Sequence, residues 1–234
     1  MSELRQPPRD IAVTLALLAG LLWWEASGLD LVVAGWYGSA AGFALRDNWW
    51  TRDLLHSGGR WLAGVALAVC ALLAWRGTRA QQPRRLAWFA LVLAALVMVP
   101  LLKRFSTTSC PWDLGDFGGA ATYVPHWLLT VVDGGPGHCF PSGHAVAAFA
   151  FLPLYFQWRG PRPRLALSLL FVVLGFGALF GWAQLARGAH FPSHTLWSAW
   201  LCWAIGAAGA RWLEPLPPDA ASAPAWSASL APGR

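Results

Sequence analysis

Three features of this sequence predict an all-α fold: a polytopic membrane helix bundle with six transmembrane helices and a long outer loop carrying part of the site. Of the 234 residues, 56% are hydrophobic and 12% are charged, against about a quarter charged in an ordinary soluble domain. Six apolar runs recur, at residues 11–26, 61–75, 86–102, 145–158, 165–185 and 195–213. Most approach the roughly 20 residues that cross a bilayer core. Many of the seventeen tryptophans, among them Trp23, Trp24, Trp61, Trp75, Trp88 and Trp158, lie near the ends of these runs, as side chains with an apolar body and a polar N–H do at a membrane interface.

The first run lacks a small-residue cleavage site and is read as a retained anchor rather than a signal peptide. The stretch 28–60 is too polar to span and carries Arg46-Asp47-Asn48-Trp49-Trp50, which predicts an interfacial helix or re-entrant loop. Runs two and three are joined by an arginine-rich turn. The segment 103–144 is the one long connection of mixed chemistry, and a loop of that length in a small domain is more often functional than not; a short surface helix is expected over 124–132. Residues 1–213 read as one integral membrane domain, with a core at about 86–213, and 214–234, rich in Pro, Ala and Ser, as a disordered cytoplasmic tail.

Alternation of six spans puts eleven Lys and Arg residues on one side and six on the other. The turns around Arg76 to Arg85 and Arg159 to Arg164 carry seven cations and no acid. The positive-inside rule then sets both termini in the cytoplasm and the histidines at the outer face. The formal charge of +6 follows from this asymmetry, so a nucleic-acid partner is not expected. Cys70 and Cys202 fall inside spans, whereas Cys110 and Cys139 lie in the outer loop, where they can pair or remain two free thiols.

The same alternation gathers polar residues from distant parts of the chain at one depth. Lys103 ends the third run, Ser142, Gly143 and His144 begin the fourth, Gln184 to His190 end the fifth, and His194 begins the sixth. Lipid rejects such groups unless they face a cavity. Histidine exchanges protons near neutrality and is a competent nucleophile when neutral. Backbone N–H groups of Ser142 and Gly143 at a helix start suit an anion. His190 and His194 are also spaced to ligate zinc with His138 or His144, but Pro192 between them and the nearby cations suit a phosphate better, so no metal is expected.

These residues resemble the type 2 phosphatidic acid phosphatase family, membrane lipid phosphatases with a helical core like that of vanadium haloperoxidases. The family carries three signatures: a lysine with Arg-Pro seven residues on, Pro-Ser-Gly-His, and Ser-Arg, five residues, His, three residues, Asp. Here the first is Lys103 with Cys110-Pro111, the second is complete at Pro141 to His144, and the third is Ala183-Gln184, then His190, then His194. The resemblance implies a hydrolase that needs no cofactor and removes phosphate from a lipid phosphate or diphosphate. His190 would be the nucleophile that forms a phosphohistidine, His144 the general acid, and Lys103 a phosphate-binding cation.

The chain departs from the signatures at three positions. Cys110 and Gln184 replace arginines, for which Arg104 and Arg187 are candidate substitutes on the phosphate. His194 replaces the aspartate that orients the nucleophile, a role that Asp113 or Asp116 could also fill. The expected partners are a lipid phosphate substrate and membrane lipids. A phosphotransferase using the same intermediate, and a protein that binds or transports lipid phosphate without hydrolysis, are the alternatives.

Overall fold

The computed structural model describes residues 9–76, 78–128 and 130–213; the tail assigned to 214–234 lies outside them. The structure is mostly helical. The chain enters through α1 (Arg9–Ala26) and a short α2 (Leu29–Ala34), forms a two-stranded hairpin from β1 (Gly38–Ser39) and β2 (Gly42–Phe43), and continues through a π-helical segment, Trp50–Gly58, into α3 (Gly59–Trp75). Then follow α4 (Gln82–Arg104), a loop with two 3₁₀ turns, the short α5 (Val146–Phe149) and α6 (Pro153–Trp158), α7 (Pro163–Ala186) and α8 (Pro192–Leu213).

Among the described residues, three helices are long and apolar enough to cross a membrane: Trp50–Trp75, Gln82–Arg104 and Pro163–Ala186. Their outer faces leave Leu62, Val65, Val69, Val97, Phe171 and Val172 exposed. An apolar belt of this kind costs free energy in water and nothing in lipid.

The fourth apolar run differs from a simple span. Pro153, which has no N–H to continue a helix, separates α5 from α6, and the 13 residues Val146–Trp158 would cover only about 20 Å of a core of about 30 Å. The run is enclosed rather than lipid-facing. Val146, Phe149, Leu152 and Phe156 are buried, with α5 packed among α3, α4, α7 and α8 and α6 among α4, α7 and α8. The expected helix over 124–132 is likewise replaced by turns among the described residues, since Pro125 and the pair Val131-Val132 disfavour helix.

At one end of the bundle Arg159 pairs with both carboxylate oxygens of Asp10, at 2.6 and 2.7 Å, tying α6 to α1. The other end carries a polar cap. Phe43, Leu114, Phe117, Leu185 and Phe191 form a small separate core there, so the hairpin and the loop after α4 are packed as firmly as the helices. Asp133 holds that loop, accepting from Ser109 N and Oγ and from Gly135 N at 2.6, 2.8 and 2.9 Å.

Candidate functional site

The site begins where α7 ends. Gly188 has φ +73°, the left-handed conformation that stops a helix. Its N–H donates to Leu185 O and that of Ala189 to Gln184 O, both at 2.8 Å, the paired bonds of a Schellman cap. A side chain at residue 188 would run into the Phe43 ring. The chain turns back at once through His190, and Pro192 starts α8, its fixed φ suiting a first helical position. Reversal and restart leave His190 and His194, 4% and 1% exposed, facing each other with Nδ1 atoms 3.4 Å apart.

That turn is fastened from several sides. Cys110 and Cys139 form a disulfide, and Cys139 Sγ lies 3.5 Å from His190 Nδ1, while the Cys139 backbone favours the protonated form of both imidazoles. Trp112 N–H donates to Gly188 O at 2.9 Å. Asp30 of α2 receives Ser193 N–H at 3.0 Å, the Ser193 hydroxyl, and Trp24 Nε1 at 2.8 Å. Ser198 Oγ donates to the carbonyls of Ser142 and His194 at 2.9 Å each, and Ser142 N–H donates to His194 O at 3.0 Å. Beneath His194, His126 stacks on Phe140 with ring centroids 3.8 Å apart. Its Nε2 is 3.2 Å from Glu25 Oε1, at an angle that makes no hydrogen bond.

Across from this turn stand Lys103 and His144. Lys103 runs past Gly143, where an added Cβ would sit 3.6 Å from its Cδ, and its charge acts on His190. His144 Nε2 lies 3.4 Å from Leu55 O, and its ring is 4.1 Å from that of His56 and 5.8 Å from that of Phe180. Arg187 donates through Nε to Arg46 O at 2.8 Å and has Nη1 3.3 Å from His56 Nδ1.

Burial favours neutral imidazoles here, because a charged ring loses its water. His190 is held well below the usual imidazole range, first by burial and then by the Lys103 charge. Burial, aided by His56, brings His144 down to about 4, and burial alone brings His126 to about 4. Asp30 is raised by burial against the opposing bonds from Ser193 and Trp24.

Several expectations need correction. The Ser142 N–H expected to meet an anion is taken by His194 O, and the Ser142 hydroxyl accepts from Ala145 N; of the N–H groups of residues 142–144, those of Gly143 and His144 make no hydrogen bond among the described residues. Asp113 Oδ2 accepts from Cys110 N at 3.2 Å, in a local cap, and Asp116 is exposed; the contact that His190 Nδ1 makes is with His194 instead. Arg104 is exposed and shares a 490 Å³ recess with Pro100, Lys103 and His138. Gln184 is buried with its Nε2 unpartnered, while its carbonyl serves the turn.

Glu25, Asp30, His56 and His126 were not read as site residues from sequence. Two acids at the outer end of the first apolar run were a usable signal, since ionisable groups at membrane depth are rarely idle. Nothing in the spacing marked His56 or His126.

An apolar cleft of 670 Å³ lies between α3, α4, α5, α6 and α7. Phe180, whose ring is 5.8 Å from that of His144, lines it together with Gly59, and so do Arg85 and Arg162. The sequence model of the PAP2 superfamily matches residues 86–217, more than half of the chain. No curated protein and no solved structure gives a significant match.

Proposed function

The chain belongs to the PAP2 superfamily, whose members are phosphatases acting on phosphate esters, and from that premise we propose that it dephosphorylates a lipid phosphate or diphosphate at the periplasmic face of a bacterial inner membrane. The observation that carries the reading is the His190 imidazole, buried and neutral, with Nδ1 engaged and Lys103 beside it. A proton on His190 Nδ1, given to His194 Nδ1 or to the Cys139 carbonyl, leaves the lone pair on Nε2 for attack. His194, protonated on its other nitrogen, thus does the orienting work of the missing carboxylate.

In the proposed reaction His190 Nε2 bonds to phosphorus as the bond to the lipid oxygen breaks, and that oxygen takes a proton from His144. Leu55 O fixes one proton on His144 Nε2, so the one it gives is carried on Nδ1. Water then attacks phosphorus, breaking the P–N bond and returning a proton to His144. Lys103, the Gly143 and His144 N–H groups, and the N–H groups of Arg187 not engaged by Arg46 balance the charge on the phosphoryl oxygens. A bound dianion opposite His144 raises its affinity for the proton, which lets a ring that burial holds at about 4 act as an acid.

The cleft supports a lipid substrate: it passes Phe180, whose ring is 5.8 Å from that of His144, and offers apolar walls to a hydrocarbon chain. The excess of Lys and Arg at the opposite end supports six membrane passages with both termini cytoplasmic, with α1, α8 and the enclosed α5–α6 pair completing the three long spans. His190→Ala should reduce phosphate release on the order of 10⁴-fold or more with helix content unchanged. Retained activity would refute the mechanism. Assays on phosphatidic acid, phosphatidylglycerol phosphate, polyprenyl diphosphate and lipid A test the substrate class. Equal turnover of a soluble alkyl phosphate would refute the lipid reading.

A further inference from the structure

Two of the three places where the chain gives up a charged signature residue lie close to the nucleophile. His194 stands in for an aspartate, its Nδ1 3.4 Å from that of His190, and Cys110, in place of an arginine, is bonded to Cys139, whose Sγ lies 3.5 Å from His190 Nδ1. Ligand atoms of Cys139, His190 and His194 lie within 4.8 Å of one another, and all three residues are buried. Tetrahedral zinc, with bonds of about 2.3 Å to sulfur and 2.0–2.1 Å to nitrogen, sets neighbouring S and N ligands about 3.5–3.6 Å apart and N and N about 3.3–3.4 Å apart. Here Cys139 Sγ to His190 Nδ1 is 3.5 Å and His190 Nδ1 to His194 Nδ1 is 3.4 Å. Two Nδ1 atoms facing at that distance leave a lone pair aimed between them unless one carries a proton. The disulfide partner, Cys110, is the sulfur closest to hand for a fourth corner.

We propose that, once the Cys110–Cys139 disulfide is reduced, Cys110, Cys139, His190 and His194 bind one zinc ion in a Cys₂His₂ site that silences His190. A dithiol supplies two electrons and two protons, becoming a disulfide itself while the protein S–S bond opens to two thiols. Zinc then takes the two thiolates and releases their two protons. In the oxidised protein neither sulfur is a thiolate, so the site is incomplete. Zinc on Nδ1 of a neutral imidazole leaves the ring proton on Nε2, where the lone pair for phosphorus is lost.

The silencing rests on His190 being the nucleophile; the binding does not, and the two can fail separately. The full chain, reduced with dithiothreitol and desalted under nitrogen, is titrated with cobalt(II) and then zinc chloride. One cobalt per chain with a thiolate-to-cobalt charge-transfer band, displaced by zinc, is expected, with no such band in the oxidised protein, in Cys110→Ser or in His194→Ala. No binding by reduced protein that keeps native helical circular dichroism overturns the proposal, as does equal binding by oxidised protein. Phosphate release that falls at least tenfold on adding zinc to reduced protein, and is unchanged in oxidised protein, supports the switch. Undiminished release at full zinc occupancy overturns it. Absence of phosphatase activity in every state counts against the proposed function alone, and the cobalt spectrum still decides the site.

Discussion

His190 is held by a disulfide, a Schellman cap, the Asp30–Ser193 bonds and the Ser198 bridge, whereas His144, on the facing wall, rests on one backbone carbonyl of a π-helical segment and the edge of His56. The wall that carries His190, the proposed nucleophile, is fastened covalently and by charge-assisted bonds, which lose little by ordering because the groups are already fixed. The wall that carries His144, the proposed acid, is held by ring contacts and a long polar contact, which leave it freer to respond to a substrate. A nucleophile must keep one nitrogen aimed at phosphorus, while an acid must change its protonation within each cycle.

The comparison breaks most sharply at His144. Its replacement by alanine should slow release from an alkyl phosphate about 10²–10⁴-fold, with a smaller loss on an aryl phosphate whose leaving oxygen needs no proton. Burial holds the ring at about 4, so the protonated form of the proposed acid is lost from free enzyme above that pH. A bound phosphate raises the value, so the basic limb of kcat should lie at higher pH than that of kcat/KM. Coincident limbs would show that His144 does not carry the proton.

Next in size is the disulfide. Cys110→Ser leaves a 29-residue separation unclosed, with an expected stability loss of about 2–4 kcal/mol, read as a lower melting temperature before any change at His144. Asp30→Ala strands the Ser193 N–H and hydroxyl and the Trp24 indole; a loss of about 1–3 kcal/mol is expected, with kcat falling more than KM rises. Rescue of kcat by Asn in place of Asp would assign that loss to the bond to Ser193 N–H rather than to charge. The smallest effect belongs to Arg104→Ala, which should change activity less than about twofold, since an exposed cation near a surface contributes little; a larger loss would move Arg104 into the phosphate site.

Much of this was legible in the chain because it depends on local chemistry. Composition alone marks a helical membrane protein: long apolar runs cannot be satisfied in water, nor an unpaired backbone in lipid. Pro141 to His144 and the His190 to His194 spacing pointed to the phosphatase signatures, and residues 86–217 match the superfamily. Alternation of spans also brought Lys103, His144 and His190 to one end. The fate of the fourth run was not legible, because an enclosed helix and a lipid-facing helix are equally apolar, and only neighbouring helices distinguish them.

The sequence by itself determined the helical bundle, the end at which polar residues gather and the identity of the histidines, since periodicity, hydropathy and residue chemistry are local properties. Only the tertiary structure decided which partner each polar atom takes. It gave Ser142 N–H to His194 O, Asp113 to a local cap, Asp30 to Ser193 and Arg187 to Arg46 and His56. A buried hydrogen bond forms between atoms within about 3 Å of each other with suitable angles, and for residues up to 163 positions apart that distance exists only once the chain has folded.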